Sequence, residues 1–244
     1  MSSSTYTRYE LLRTFRNTRF FLFSLGFPLV LYFVIAAPNR GDQDFGGTGI
    51  PAPLYYMVGL ASFGAMMAAI SSGARIASER AVGWNRQLRI TPLPAWAYLR
   101  TKVLTAYVLA LTSILLLYAA GIVLGVSIPL GEWVAMTALM LVGLIPFAAL
   151  GILIGHLLTP DAIGPVLGGT VSLLALLGGT WFPITSGALH AIAQGLPSYW
   201  LVQASRVGVG GHGWGATGWL VIAAWSVVLC GLAGWAYRRD TKRV

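Results

Sequence analysis

The residues able to do chemistry are few in this chain and are gathered in one stretch. Glu79-Arg80-Ala81-Val82-Gly83-Trp84-Asn85-Arg86-Gln87-Leu88-Arg89 is followed by Thr91-Pro92 and Pro94. It lies between two long apolar runs, Leu54–Ala74 and Val103–Val126, that carry no charged residue. A carboxylate at Glu79 suits a helix N-terminus, and the cations Arg86 and Arg89 suit its C-terminal end. Pro92 and Pro94 then stop the helix, because proline has no N–H to continue the ladder. The pattern predicts a short charged helix over 79–90, and its chemistry is that of docking to another protein. The same basic residues also satisfy the positive-inside rule with no partner at all.

Catalytic chemistry is poorly served by what remains. No acid, base or nucleophile sits in the middle of an apolar run, and Ser62, Ser113, Ser172 and Ser226 are expected to bond within their own helices. His156, His190 and His212 stand far apart without ligand spacing, so no metal site is expected. Cys230 is the one cysteine, which excludes an internal disulfide, and it reads as a small buried hydrophobe. Gly208-x-Gly210-x-x-Gly213 and Gly213-x-Gly215-x-x-Gly218 match the dinucleotide fingerprint, but that motif needs a preceding strand and a βαβ unit. There is no G-x-x-x-x-G-K-[ST] segment, so a nucleotide that powered this protein would sit on another polypeptide.

The elements that must position the charged stretch are membrane spans. The chain is 57% hydrophobic and only 9% charged, against roughly 25% charged in soluble domains. The formal charge of +9 does not point to nucleic acid, because the cations cluster beside apolar runs, where they set orientation and attract anionic headgroups. A span needs ~20 mostly apolar residues. Six runs qualify: Phe20–Ala37, Leu54–Ala74, Val103–Val126, Trp133–Ile154, Ala162–Trp181 and Trp214–Tyr237. Pro28 and Pro146 fall inside spans as tolerated kinks. Six spans place both termini on one side. Charge totals of +10 for that side and −1 for the other make it cytoplasmic.

Two further segments complete an all-α integral membrane protein of one domain, 1–244. Residues 5–19 precede the first span, with Tyr6, Tyr9, Leu12 and Phe15 near helical spacing and Arg8, Arg13, Arg16 and Arg19 interleaved, so an amphipathic interfacial helix is expected. Residues 182–213 are apolar enough to tempt a seventh span, but Pro183, Gly195 and Pro197 cut them into pieces too short to cross. They read as a re-entrant helical hairpin on the outer side. Gly121-x-x-x-Gly125, Gly151-x-x-x-Gly155 and Gly164-x-x-x-Gly168 are assigned to helix packing.

The order E-R-x-x-G-x-x-x-x-L-R-x-T-P, with Lys102 ten residues beyond Pro92, resembles the first cytoplasmic loop of type-2 ABC (ATP-binding cassette) exporter permeases. Gly179-Thr180-Trp181-Phe182-Pro183 and Leu196-Pro197-x-x-Trp200 are similar to that family's segment before the last span. The resemblance implies that 5–19 is an elbow helix, that 79–90 is a coupling helix, and that Glu79, Arg80, Gly83, Trp84, Arg86 and Arg89 contact a separate ATP-binding subunit. The small Gly83 would allow close approach, and Arg75 and Arg100 would anchor the ends of spans two and three. ATP and magnesium would be held by that partner, leaving this chain a non-catalytic permease without a cofactor. A second permease chain, identical or a sibling, is implied, in a bacterial cytoplasmic membrane. Phe63, Met66, Met67 and Trp181 are the residues that could line the pathway. With no charge along it, a hydrophobic or amphipathic substrate is expected: a drug, an antibiotic, a lipid-like molecule or a peptide. The rival readings are an ATP-independent secondary carrier and a non-transporting immunity or scaffold protein.

Overall fold

The computed structural model describes residues 3–17, 22–84, 87, 90–91, 95–211 and 213–241. Among them there are helices and turns but no strand. Helix α1 (Ser3–Phe15) comes first, then a π-helical turn (Leu22–Gly26) running into α2 (Phe27–Ala36). A 3-10 turn (Phe45–Gly47) leads to α3 (Ala52–Ala81), followed by α4 (Ala95–Val123), α5 (Leu130–Gly143), α6 (Ile145–Leu157) and α7 (Pro160–Leu177). The short helices α8 (Gly187–Gln194) and α9 (Pro197–Gln203) and a 3-10 turn (Ala204–Val209) precede α10 (Ala216–Thr241).

Proline sets half of the described α-helix starts. Pro28, Pro53, Pro146, Pro160 and Pro197 occupy the first or second positions of α2, α3, α6, α7 and α9, where the missing N–H costs nothing. Two prolines expected as kinks inside spans therefore begin new helical segments. Pro28 follows the π-helical turn. Pro146 divides the fourth run at Leu144 into α5 and α6. The true mid-helix proline is Pro165, in α7.

Five helical stretches are long and apolar enough to cross a membrane: Ala52–Ala81, Ala97–Val123, Leu130–Leu157, Pro160–Leu177 and Ala216–Asp240. The expected first span, Phe20–Ala37, shows only Ser24–Ala36 as an apolar helix. At 1.5 Å per residue that is about 20 Å, short of the ~30 Å hydrocarbon core. Its expected beginning at Phe20, with Arg19, lies outside the described residues.

Helix α3 is the hub. Its most apolar window is 94% buried inside the chain, against 11% for α7 and 22% for α10. It packs along α4 and α6 and also touches α2, α7 and α9. The contact with α6 is backbone to backbone. A methyl group at Gly73 would collide with the main chain of Gly151 and Ile152, one at Gly151 with Ile70, and one at Gly155 with Gly73. The Gly151–Gly155 pair thus serves the packing expected of it. Gly121 likewise lies against Met57. Gly164 and Gly168 do not: a methyl at either meets nothing within 4 Å, because that side of α7 faces away from the chain.

At the end opposite the charged stretch, α8 and α9 have 8 and 7 residues, and neither could cross a membrane. Residues Pro197–Val202 of α9 are buried. Three indoles hold the turn between them. Trp200 Nε1 donates to the Gln194 carbonyl (2.9 Å), Trp225 Nε1 to that of Gly195 (2.9 Å), and Trp214 Nε1 to that of Trp200 (2.5 Å). The first glycine fingerprint begins inside a 3-10 turn, not after a strand, which removes its dinucleotide reading; His212 lies outside the described residues.

Candidate functional site: the charged exit of helix α3

The short helix expected to open at Glu79 does not open there. Helix α3 runs unbroken to Ala81, so Glu79 sits in its last turn. The helix stops at Gly83, whose φ of +72° lies in the left-handed region that favours glycine, and whose N–H bonds back to the Arg80 carbonyl (3.1 Å). A methyl at Gly83 would meet nothing within 4 Å. Backbone conformation, not crowding, is thus the reason for glycine here. Beyond it, the Gln87 N–H bonds to the Gly83 carbonyl (3.3 Å). Arg86, Arg89, Pro92 and Pro94 lie outside the described residues.

Glu79 is 3% exposed and turned into the chain. The Lys102 ammonium, on α4 and 1% exposed, donates to Glu79 Oε1 and to Glu10 Oε1 of α1, each at 2.6 Å. The Tyr98 hydroxyl donates to the other Glu79 oxygen (2.6 Å). Arg13 stands farther off, 3.6 Å from Glu79 and 3.8 Å from Glu10. Arg75 donates to the Thr14 hydroxyl (2.8 Å), and the Thr7 and Thr101 hydroxyls meet at 2.9 Å. Three helices, α1, α3 and α4, are joined by this buried network. Burial by itself raises the Glu10 pKa. The attraction and hydrogen bond of Lys102, helped by Arg75 and Arg13, outweigh it and hold the carboxyl below its ordinary value.

Arg80 faces the other way. Its Nε is 2.9 Å from Asp240 in the last turn of α10, and its Nη1 donates to the carbonyls of His156 (2.8 Å) and Gly155 (3.3 Å) at the end of α6. His156 Nδ1 lies 3.0 Å from the same Asp240 oxygen.

The rest of the exit is open. Val82 and Ile90 are 76% and 88% exposed, while Trp84 is half-buried and packs with Tyr6, Ile76 and Tyr98. A groove of about 1220 Å³ runs between α1 and the end of α3, walled by Tyr6, Tyr9, Leu12, Arg13, Arg75 and Trp84. Within α1 the inward stripe is Tyr6, Glu10 and Thr14, whereas Tyr9, Leu12 and Phe15 point outward. Of the apolar spacing read along 5–19, Tyr6 therefore faces inward, and Tyr9, Leu12 and Phe15 mark the outer face of this helix.

Of the other site residues expected from sequence, Phe63 and Trp181 meet at 5.7 Å between ring centroids. Met66 is buried in the core, and Met67 packs half-buried against it. Arg100 is exposed on α4. Glu10, Tyr98, His156 and Asp240 were not among the expected site residues, and Lys102 entered only as a position in the pattern. A signal was present: Glu10 and Asp240 are single acids in strongly basic segments.

The architecture is that of a multi-pass membrane protein whose only dense charge network ties helix ends together around one loop, among the described residues. Residues 43–236 match the family described as "ABC-2 family transporter protein", and the chain belongs to that family. It is a non-catalytic membrane subunit of an ABC transporter. The chain is also similar to YvfS of Bacillus subtilis (strain 168), a protein named as a transport permease. The two are 30% identical over 197 residues, which cover 78% of each chain.

Proposed function

We propose that this chain is the permease of an ATP-driven exporter in a bacterial cytoplasmic membrane, with six spans and both termini in the cytoplasm. A separate ATP-binding subunit holds ATP and magnesium, and a second permease chain, identical or a sibling, completes the assembly. The observation that carries this reading is the pairing of an open loop with a rigid root. Val82 and Ile90 stand exposed just after residues whose side chains bind α1, α4, α6 and α10. A loop built so can pass a displacement to most of the helix bundle.

The docking face is then Gly83, Trp84, Arg86 and Arg89 with Val82 and Ile90. Glu79 and Arg80, expected to touch the partner, act from behind it by fixing the root. Phe63, Met66 and Met67 of α3 belong to the pathway side with Trp181, which follows α7, and their uncharged character supports a hydrophobic or amphipathic substrate such as a drug, an antibiotic, a lipid-like molecule or a peptide. The hairpin at 182–213 is re-entrant from the outer face.

Co-purification with the ATP-binding subunit tests the reading, comparing native chain with Arg86→Glu, Arg89→Glu. A thermal melt of the variant beside the native chain checks that it is folded. The expected result is a stable native complex lost in the variant. Absence of a complex with the native chain, or an undiminished complex with the variant, overturns it.

A further inference from the structure

An acid at a helix C-terminus works against the helix dipole. Asp240 occupies such a place, in the last turn of α10 directly after Arg238 and Arg239. What faces it explains why an acid is there. Arg80 Nε and His156 Nδ1 converge on one oxygen of Asp240, at 2.9 and 3.0 Å. A carboxylate only accepts, so the His156 Nδ1 donates. His156 is 5% exposed, and its other ring nitrogen is buried without a hydrogen-bond partner. The Tyr237 ring stands edge-on to the imidazole at 5.6 Å.

Arg80 does two things at this point. It binds Asp240, and it donates to the carbonyls of Gly155 and His156, which belong to the last turn of α6 and have no partner within the helix. A cation suits that helix end. Helices α3 and α10 otherwise share little contact; each packs on α6. The guanidinium is thus a direct tie between the hub helix and the last span, placed one residue before α3 ends.

We infer that Asp240 and His156 are positioning residues for the loop that follows Ala81: they clamp Arg80, so that the end of α10 travels with the loop as one body. This rests on the coupling role proposed above. Through Glu79 the loop's displacement reaches α1 and α4; through Arg80, Asp240 and His156 it reaches α6 and α10. The C-terminal turn is then a working part of the drive and not a trailing end.

The test is a distance measurement between spin labels at Ala81→Cys and Leu232→Cys in a Cys230→Ser background, in lipid nanodiscs. In the isolated chain a narrow distance distribution is expected, broadened by Asp240→Ala and by His156→Gln and kept narrow by Asp240→Glu. Equal widths in the native, Asp240→Ala and His156→Gln chains overturn the clamp. In the complex with the ATP-binding subunit, trapped with ATP and vanadate, the native distance is expected to stay constant while that of Asp240→Ala changes. A native distance that changes on trapping, or an Asp240→Ala distance that does not, also overturns it. If no such complex forms, the coupling role fails, and the widths in the isolated chain still decide whether the clamp exists. Asp240 lies at the end of its helix and is partly exposed, so its replacement by alanine leaves the fold intact, which a thermal melt checks.

Discussion

Glu79 and Arg80 are neighbours in sequence but bind opposite sides of the bundle. The Glu79 carboxylate meets Lys102 of α4 beside Glu10 of α1, and the Arg80 guanidinium meets Asp240 of α10 above the end of α6. On a helix, consecutive residues are turned about 100° apart. Two adjacent charges in the last turn of α3 therefore reach two separate groups of helices at once.

The buried ammonium of Lys102 bridges two carboxylates, and removing it leaves both without their main partner. Lys102→Met is expected to cost on the order of 3–5 kcal/mol, the loss usual when one member of a buried ion network is removed. Adding Glu10→Gln and Glu79→Gln should return most of it, because the site then holds no uncompensated buried charge. Thermal unfolding in detergent measures both. A loss below ~1 kcal/mol for the single variant would show that the network contributes little.

The depressed pKa of Glu10 makes the docking of α1 acid-sensitive. The stabilisation is complete above the ordinary carboxylate pKa and is lost as pH falls through the lower folded value. Spin-label mobility at Tyr9→Cys, in the Cys230→Ser background, should stay low from neutral pH down to ~4 and rise below it. In Glu10→Gln the mobility should be higher at neutral pH and less dependent on acid. Mobilisation already near pH ~6 would assign the transition to another group.

The glycines separate by what faces them. Gly73→Val and Gly151→Val force a side chain into the opposing backbone, so each should prevent folded protein from being recovered from the membrane. Overpacking of cores typically costs about 1–3 kcal/mol, and backbone contacts leave less room to relax. Gly164→Ala and Gly168→Ala meet open space and should leave the melting of the single chain unchanged or slightly raised, since alanine favours helix. Size-exclusion profiles and melting temperatures distinguish the two groups.

Five of the six apolar runs read from the chain coincide with helices, but their ends do not. The second run closes before Arg75, and the third opens only after Lys102. Helix α3 passes Arg75, Glu79 and Arg80 to end at Ala81, and α4 already includes Arg100 and Lys102. Arg75, Glu79, Arg80 and Lys102 are taken up by partners on other helices, which spacing along one sequence cannot reveal. For the same reason Glu79 looked like the start of an exposed helix and is instead the buried end of the hub. Gly83 was legible as special, though its left-handed backbone could not be told from a need for close approach. The pairing of Glu10 with Lys102, 92 residues apart, needed the folded structure.

Synthesis order runs against packing order in this chain. Helix α3 is made before α6, α7, α9 and α10, three of which wall it in. Until they arrive, much of its surface has only lipid or an insertion factor for a neighbour. Helix α3 also carries Ser62, Ser71 and Ser72, and at its end Glu79 and Arg80, all of which are costly against hydrocarbon. Glu79 gains a partner as soon as α4 delivers Lys102, whereas Arg80 must wait for α6 and finally for Asp240 of α10. Arrival of the end of α10 is therefore the event that completes the hub's enclosure, and a chain truncated before Asp240 would present an unfinished helix end to membrane quality control.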